Sequence, residues 1–153
     1  MVHILAPKPA EPTLPVFFNL DGVVGAPPAE NRLEDVLFVQ FCFRFAADHP
    51  GPSMRPETLA AFRAVQANGV CDAATINAIR LTQERIKRHS PGTVVDGRVS
   101  PARGYSFGGA LWTIVHYNNV LQEQTRTEWP RIDKLSGCPP ALVQAVIREL
   151  VGD

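Results

Sequence analysis

NGVCDAATINAIRLTQERIKR, residues 68–88, decides how the rest of the chain is placed. Its opening Asn68-Gly69 is a turn signal, because both residue types take positive φ at little cost. Asp72 follows where a helix N-cap belongs, its carboxylate within reach of the open N–H groups of Ala74 and Thr75. Cys71 and Ile76 flank that cap at the two positions that pack together as a hydrophobic staple. At about 100° per residue, Thr75, Ile79, Thr82, Gln83 and Ile86 share one face, while Asn77, Arg80, Glu84, Lys87 and Arg88 point elsewhere. The stretch predicts a tight turn feeding a capped amphipathic helix.

Upstream, Asn31 and Glu34 have the spacing of a capping box and open a predicted helix that runs to Asp48, ahead of His49-Pro50-Gly51-Pro52. Its body, VLFVQFCFRFAA, is apolar nearly all round. Val36, Val39, Phe43 and Ala47 form one face, Leu37, Phe38, Phe41 and Phe45 cover much of the opposite one, and Gln40 and Arg44 are left as a polar strip. A helix of this kind is either central to a core or shared with a partner. Two readings follow: a core helix covered by the N-terminal arm and the C-terminal helix, or a docking face of Leu37, Phe38, Phe41 and Phe45 for a protein partner or a second copy. Ser53 to Gln66 then reads as a second helix, with Pro56 near its first turn and Leu59, Ala61, Phe62 and Val65 as its buried side.

The pattern Asn68-Gly69-x-Cys71, Thr75, Ala78-Ile79 and Gln83 resembles the DG-x-x-G-x-x-T-x-x-A-[IV]-x-x-[FY]-Q signature of peptidoglycan-binding-like domains, small three-helix modules often attached to cell-wall enzymes. Val95-Asp96-Gly97-Arg98-Val99-Ser100-Pro101 is similar to the family's second DG turn. Asn68 replaces Asp, Asp72 replaces Gly, Ala73 stands where Pro is common, and Thr82 replaces the aromatic residue before Gln; a polar turn and an N-cap are retained. The resemblance covers Asn31 to Leu121. It implies a non-catalytic module that binds peptidoglycan or muropeptide fragments. Cores of this type also resemble those of proteins associated with bacterial secretion machinery such as type VI systems, which implies the alternative of an assembly component that keeps the fold without sugar binding.

On either side the composition changes. Pro7, Pro9, Pro12 and Pro15 favour extended backbone over helix, Val16-Phe17-Phe18 can pair as a strand or lie across the core, and Asp21-Gly22 with Gly25 turns the chain ahead of Pro27-Pro28. Residues 101–109, PARGYSFGG, form a loop leading into a predicted helix ALWTIVHYNNVLQEQ. Residues 122–136 are polar around Trp129-Pro130, and Cys138-Pro139-Pro140 starts an amphipathic helix whose Leu142, Val143, Val146, Ile147 and Leu150 need a surface to pack on, the Phe-rich helix being the natural one. The expected architecture is a mostly α, small helical bundle: a proline-rich arm over 1–30, a peptidoglycan-binding-like helical domain over 31–121, and a C-terminal extension with one helix over 122–153.

Fifteen basic and fifteen acidic residues among 153 give no net charge, so nothing in the balance attracts nucleic acid or an anionic membrane. No basic n-region precedes a long apolar run near Met1, which points to a chain that is cytoplasmic as synthesised unless another system exports it. Cys42, Cys71 and Cys138 are an odd number without C-x-x-C spacing, so neither a disulfide framework nor a redox motif is expected. His3, His49, His89 and His116 are scattered, with no zinc spacing, and neither a G-x-S-x-G elbow nor a P-loop ending occurs. We therefore expect no metal, no cofactor and no catalysis. Binding is the remaining class. Arg103, Tyr105, Trp112, Tyr117 and Asn118 supply the rings, guanidinium and amide that hold sugars and peptides, the other reading being that Phe107 and Trp112 belong to the core and Arg103 is a solvated loop charge.

Overall fold

Helices alternate with short two-stranded antiparallel ribbons along the chain. The computed structural model describes residues 3–5, 17–102, 106–107, 110–111 and 113–152, with the backbone alone for 3–5, 17, 106–107 and 110–111. In order the elements are β1 (His3–Leu5), β2 (Phe17–Asn19), β3 (Val24–Gly25), α1 (Leu33–Asp48), α2 (Pro56–Arg63), α3 (Ala73–His89), β4 (Arg98–Val99), β5 (Ser106–Phe107), β6 (Ala110–Leu111), α4 (Thr113–Gln124), a 3-10 turn (Ile132–Lys134) and α5 (Pro140–Leu150). β1 pairs with β2, β3 with β4 and β5 with β6. The molecule is a mostly α helical bundle.

α3 starts where its cap places it: Asp72 accepts from the Thr75 N–H at 3.0 Å and from the Thr75 hydroxyl at 2.8 Å. These two bonds hold the Asp72 carboxyl below its ordinary pKa. Thr75, Ala78, Ile79, Thr82, Gln83 and Ile86 are its buried residues, which is the face the periodicity selects. α2 begins at Pro56, whose fixed φ suits the first helical turn, and it is shorter at both ends than its pattern suggests. α4 begins at Thr113, because Ala110 and Leu111 are paired with Phe107 and Ser106 in a ribbon.

The capping box expected at Asn31 and Glu34 is not formed. Asn31 takes φ 52 and turns its amide onto Gly25, accepting the Gly25 N–H at 2.8 Å and donating to its carbonyl at 3.1 Å. With that side chain engaged, α1 starts behind Arg32 without a side-chain cap, and Glu34 reaches across to Arg148 of α5 at 2.8 Å.

α1 is the centre of the core. Leu37, Phe38, Phe41 and Phe45 are 4%, 0%, 2% and 6% exposed, so the face that could have docked a partner is covered by the chain itself. Part of the cover comes from the stretch expected as an arm: Phe18, Leu20 and Val24 are fully buried in the same core. The Phe18 ring lies 5.6 Å from Phe38 on one side and meets Trp129 edge-on at 5.6 Å on the other. α2, α4 and α5 also pack on α1, with Phe43 against Phe62 at 4.9 Å and against Tyr117 at 5.3 Å. Each ring so buried contributes about 1.5–3 kcal/mol.

Buried polar side chains on the helices grip the turns. Gln40, fully buried on α1, accepts the Gly69 N–H at 2.8 Å and donates to the Val70 carbonyl at 2.8 Å and to the Thr75 hydroxyl at 3.1 Å. Gln83 on α3 repeats the device at the second turn, accepting from Asp96 and Gly97 N–H at 3.1 and 2.9 Å and donating to the Arg98 carbonyl at 2.7 Å and Asp96 Oδ1 at 3.1 Å. Gly69 and Gly97 have φ 80 and 71, and a Cβ on Gly69 would run into the Leu33 side chain, so both turns need glycine. Asp35 does the same for a third turn, accepting from the Gly22 N–H at 3.0 Å; burial raises its pKa and that bond partly offsets the rise.

Candidate functional site

Of the expected ligand-binding residues, Arg103, Tyr105 and Trp112 lie outside the described residues. Tyr117 and Asn118 are neighbours on α4, and both point inward, 5% and 1% exposed. Asn118 clasps β2, accepting the Phe18 N–H at 2.6 Å and donating to the Phe18 carbonyl at 2.8 Å, and it donates to Ile114 O at 2.8 Å as well. Both its amide hydrogens are thereby committed, so its role is to fix β2 on α4 and not to meet a ligand. Tyr117 is enclosed between helices, and its hydroxyl finds no hydrogen-bond partner among the described residues.

Two concave sites stand out. The larger is an open groove of ≈ 290 Å³ between the C-terminal end of α1 and the 124–136 segment. Asp48 and its successor His49 approach from the end of α1, Gln124 from the end of α4, Thr125 and Glu128 from the turns after it, and Ser136 from beyond the 3-10 turn. His49 is held in place: its ring stacks on Phe45 with centroids 4.2 Å apart, and its Nδ1 lies 3.0 Å from the Phe45 carbonyl. Thr125 is fixed by donating its hydroxyl to Leu121 O at 2.6 Å. The groove therefore sets carboxylates, an amide and a hydroxyl around a ring pair, groups that donate to and accept from a polar ligand. Sequence reasoning passed over it because its residues are spread over the end of one helix and a polar segment near the other end of the chain; His49 beside Pro50 read as a helix stop.

The smaller site is an inner pocket of ≈ 50 Å³ where α1, α2, α3 and α4 meet, lined by Cys42, Phe43, Phe62, Thr82, Arg85 and Tyr117 among others. His116 also borders it, and burial, with Arg85 adding to it, lowers that imidazole to about 4, so it is neutral at neutral pH. Burial pushes the Cys42 thiol well up, and Cys138 up to about 12, with Asp133 adding to the shift. Cys71 is raised by burial and by Asp72. All three are therefore thiols and not thiolates at neutral pH.

Among the described residues no group of three or more His, Cys, Asp and Glu gathers as metal ligands, and no helix is long and apolar enough to cross a bilayer. Comparison with family models, with curated proteins and with solved structures returns no match for this chain.

Proposed function

We propose that the chain is a non-catalytic binding module for peptidoglycan or muropeptide fragments. The observation that carries this reading is the groove at the end of α1, whose ≈ 290 Å³ is close to the lower end of the usual range for ligand sites. Its Asp48 and Glu128 carboxylates accept from sugar hydroxyls and acetamido N–H groups, Gln124 both donates and accepts, and the His49 ring backed by Phe45 offers a flat apolar surface to a sugar face. The Gln83 hold on the Asp96-Gly97 turn supports it further, since Gln83 and that turn are parts of the pattern on which the family resemblance rests. The rival reading, an assembly component of a secretion apparatus or a homo-oligomer, would dock through the C-terminal helix instead, since Leu37, Phe38, Phe41 and Phe45 are buried in the core.

The test is co-sedimentation with purified insoluble sacculi, with light scattering on the same samples. Wild type is expected to sediment as a saturable function of added wall, and the Gln124→Ala/Glu128→Ala pair, at exposed positions, to stay at least tenfold more in the supernatant while unfolding like wild type. Trp112→Ala in parallel reports whether the 103–112 stretch adds to the same site. A wild type that stays soluble and scatters as an oligomer overturns the reading in favour of assembly.

A further inference from the structure

The side chains lining the groove at the end of α1 offer more hydrogen-bond acceptors than donors. Thr125, itself buried, gives its hydroxyl proton to the Leu121 carbonyl at 2.6 Å, so its oxygen is left to accept. The Phe45 carbonyl can only accept, so His49 Nδ1, 3.0 Å from it, carries the proton and Nε2 of the uncharged ring is an acceptor. Glu128 receives the Thr127 hydroxyl on Oε2 at 2.8 Å and keeps Oε1. The Asp48 carboxylate has neither a hydrogen bond nor an ion pair among the described residues. Gln124 and Ser136 supply the side-chain donors.

The field of the groove has the matching sign. α1 ends at Asp48 and α4 at Gln124, so the carbonyl ends of both helices meet there, and neither helix has a basic residue in its last turn. No lysine or arginine is among the described residues that line the groove. Two carboxylates and two negative helix ends therefore act together without a lining cation to offset them. A carboxylate or phosphate on a ligand is repelled by this arrangement, and a hydroxyl brings a single proton. A primary ammonium brings three donors, no acceptor and a positive charge. Phe45, Leu135 and the His49 ring give its carbon stem an apolar surface.

We propose that the groove recognises a primary ammonium group on its ligand, with the Asp48 and Glu128 carboxylates as counter-charge and the Thr125 hydroxyl oxygen as a further acceptor. The inference rests on the wall-binding reading and names the part of the wall fragment that the groove selects. Such a group is carried either by a diamino acid of a stem peptide or by a sugar that lacks its N-acetyl group, and the chemistry the groove meets is the same.

The experiment is co-sedimentation of the full chain with three preparations of the same sacculi: untreated, N-acetylated with acetic anhydride, and reductively dimethylated, which keeps the positive charge. Wild type is expected to sediment equally with the untreated and dimethylated walls and about tenfold less with the acetylated one. Asp48→Asn/Glu128→Gln keeps the shape of both side chains at exposed positions. It is expected to unfold like wild type and to bind untreated wall no better than wild type binds acetylated wall. Nα-acetyl-lysine and glucosamine are then added as competitors, each beside its fully N-acetylated form; whichever releases the protein identifies stem peptide or glycan as the bearer of the ammonium. Equal retention on all three walls overturns the ammonium assignment and leaves wall binding standing, whereas retention on none overturns both. Unchanged retention of the double variant, or release by neither competitor, also overturns the assignment.

Discussion

A glutamine amide has two hydrogens to donate and one oxygen to accept with, and Gln83 commits all of them to one turn: Asp96 Oδ1, the Arg98 carbonyl, and the N–H groups of Asp96 and Gly97. Gly97 is buried, so its N–H has no ready solvent to replace Gln83. Gln83→Ala is therefore expected to cost about 3 kcal/mol, read as a lower urea midpoint at unchanged slope. Gln83→Glu keeps the acceptor but loses both donors and sets a second carboxylate beside Asp96, so it is expected to recover only part of that loss. Gln83 was legible in sequence because it completes a recognisable pattern. Gln40 was not: it is the same device at the Asn68-Gly69 turn, yet it lies 29 residues before the N–H it accepts from and read as one half of a polar strip. Its partner in that strip, Arg44, does reach the surface, and there it donates to the Arg63 carbonyl at the end of α2 at 2.9 Å.

At the scale of elements, α1 shows where periodicity stops being informative. Alternation of apolar and polar residues fixed the buried face of α3 from sequence, since only one face of that helix is apolar. On α1 nearly every position is apolar, so the pattern names a helix but not its cover, and the cover comes from β2, β3, α2, α4 and α5, scattered along the chain. The start of α1 was misplaced for a related reason: Asn31 has the right residue type for a cap, but a tertiary partner at Gly25 takes its amide. The burial of α1 makes a prediction that separates core from docking face. Phe38→Ala removes a fully buried ring packed on Phe18 and is expected to destabilise by about 3–5 kcal/mol in urea unfolding. Light scattering of the folded fraction should not change. A drop in molar mass with little loss of stability would instead mean that the ring sits between copies.

For the molecule as a whole, the candidate site was legible in residue types and not in placement. Tyr117 was singled out for a ring and a hydroxyl, both of which the structure turns inward, and the polar groove joins chain segments that no local motif connects. The same inward packing of α4 sets a global pH dependence through His116. Its imidazole is lowered from 6.5 to about 4 by burial, with Arg85 contributing, so the unfolded chain binds a proton over this interval that the folded chain refuses. The stability contributed is fully present above pH 6.5 and is lost as pH falls from there towards 4, by a total on the order of 2–3 kcal/mol. Asp72 and Asp133 act in the same direction but lower, because their folded pKa values lie beneath the ordinary 3.8. Asp35 opposes them: its folded pKa is raised, so the stability tied to its proton is present at low pH and lost as pH rises through that value. His116→Gln isolates the imidazole. Unfolding free energies measured between pH 4 and 7 should slope upward with pH in wild type and lie nearly flat in the variant over the upper part of that range, where the carboxyls are already ionised in the unfolded chain. Parallel slopes in the two proteins would mean that His116 takes up its proton in the folded state as easily as in water, and that the helices around the inner pocket open to admit it.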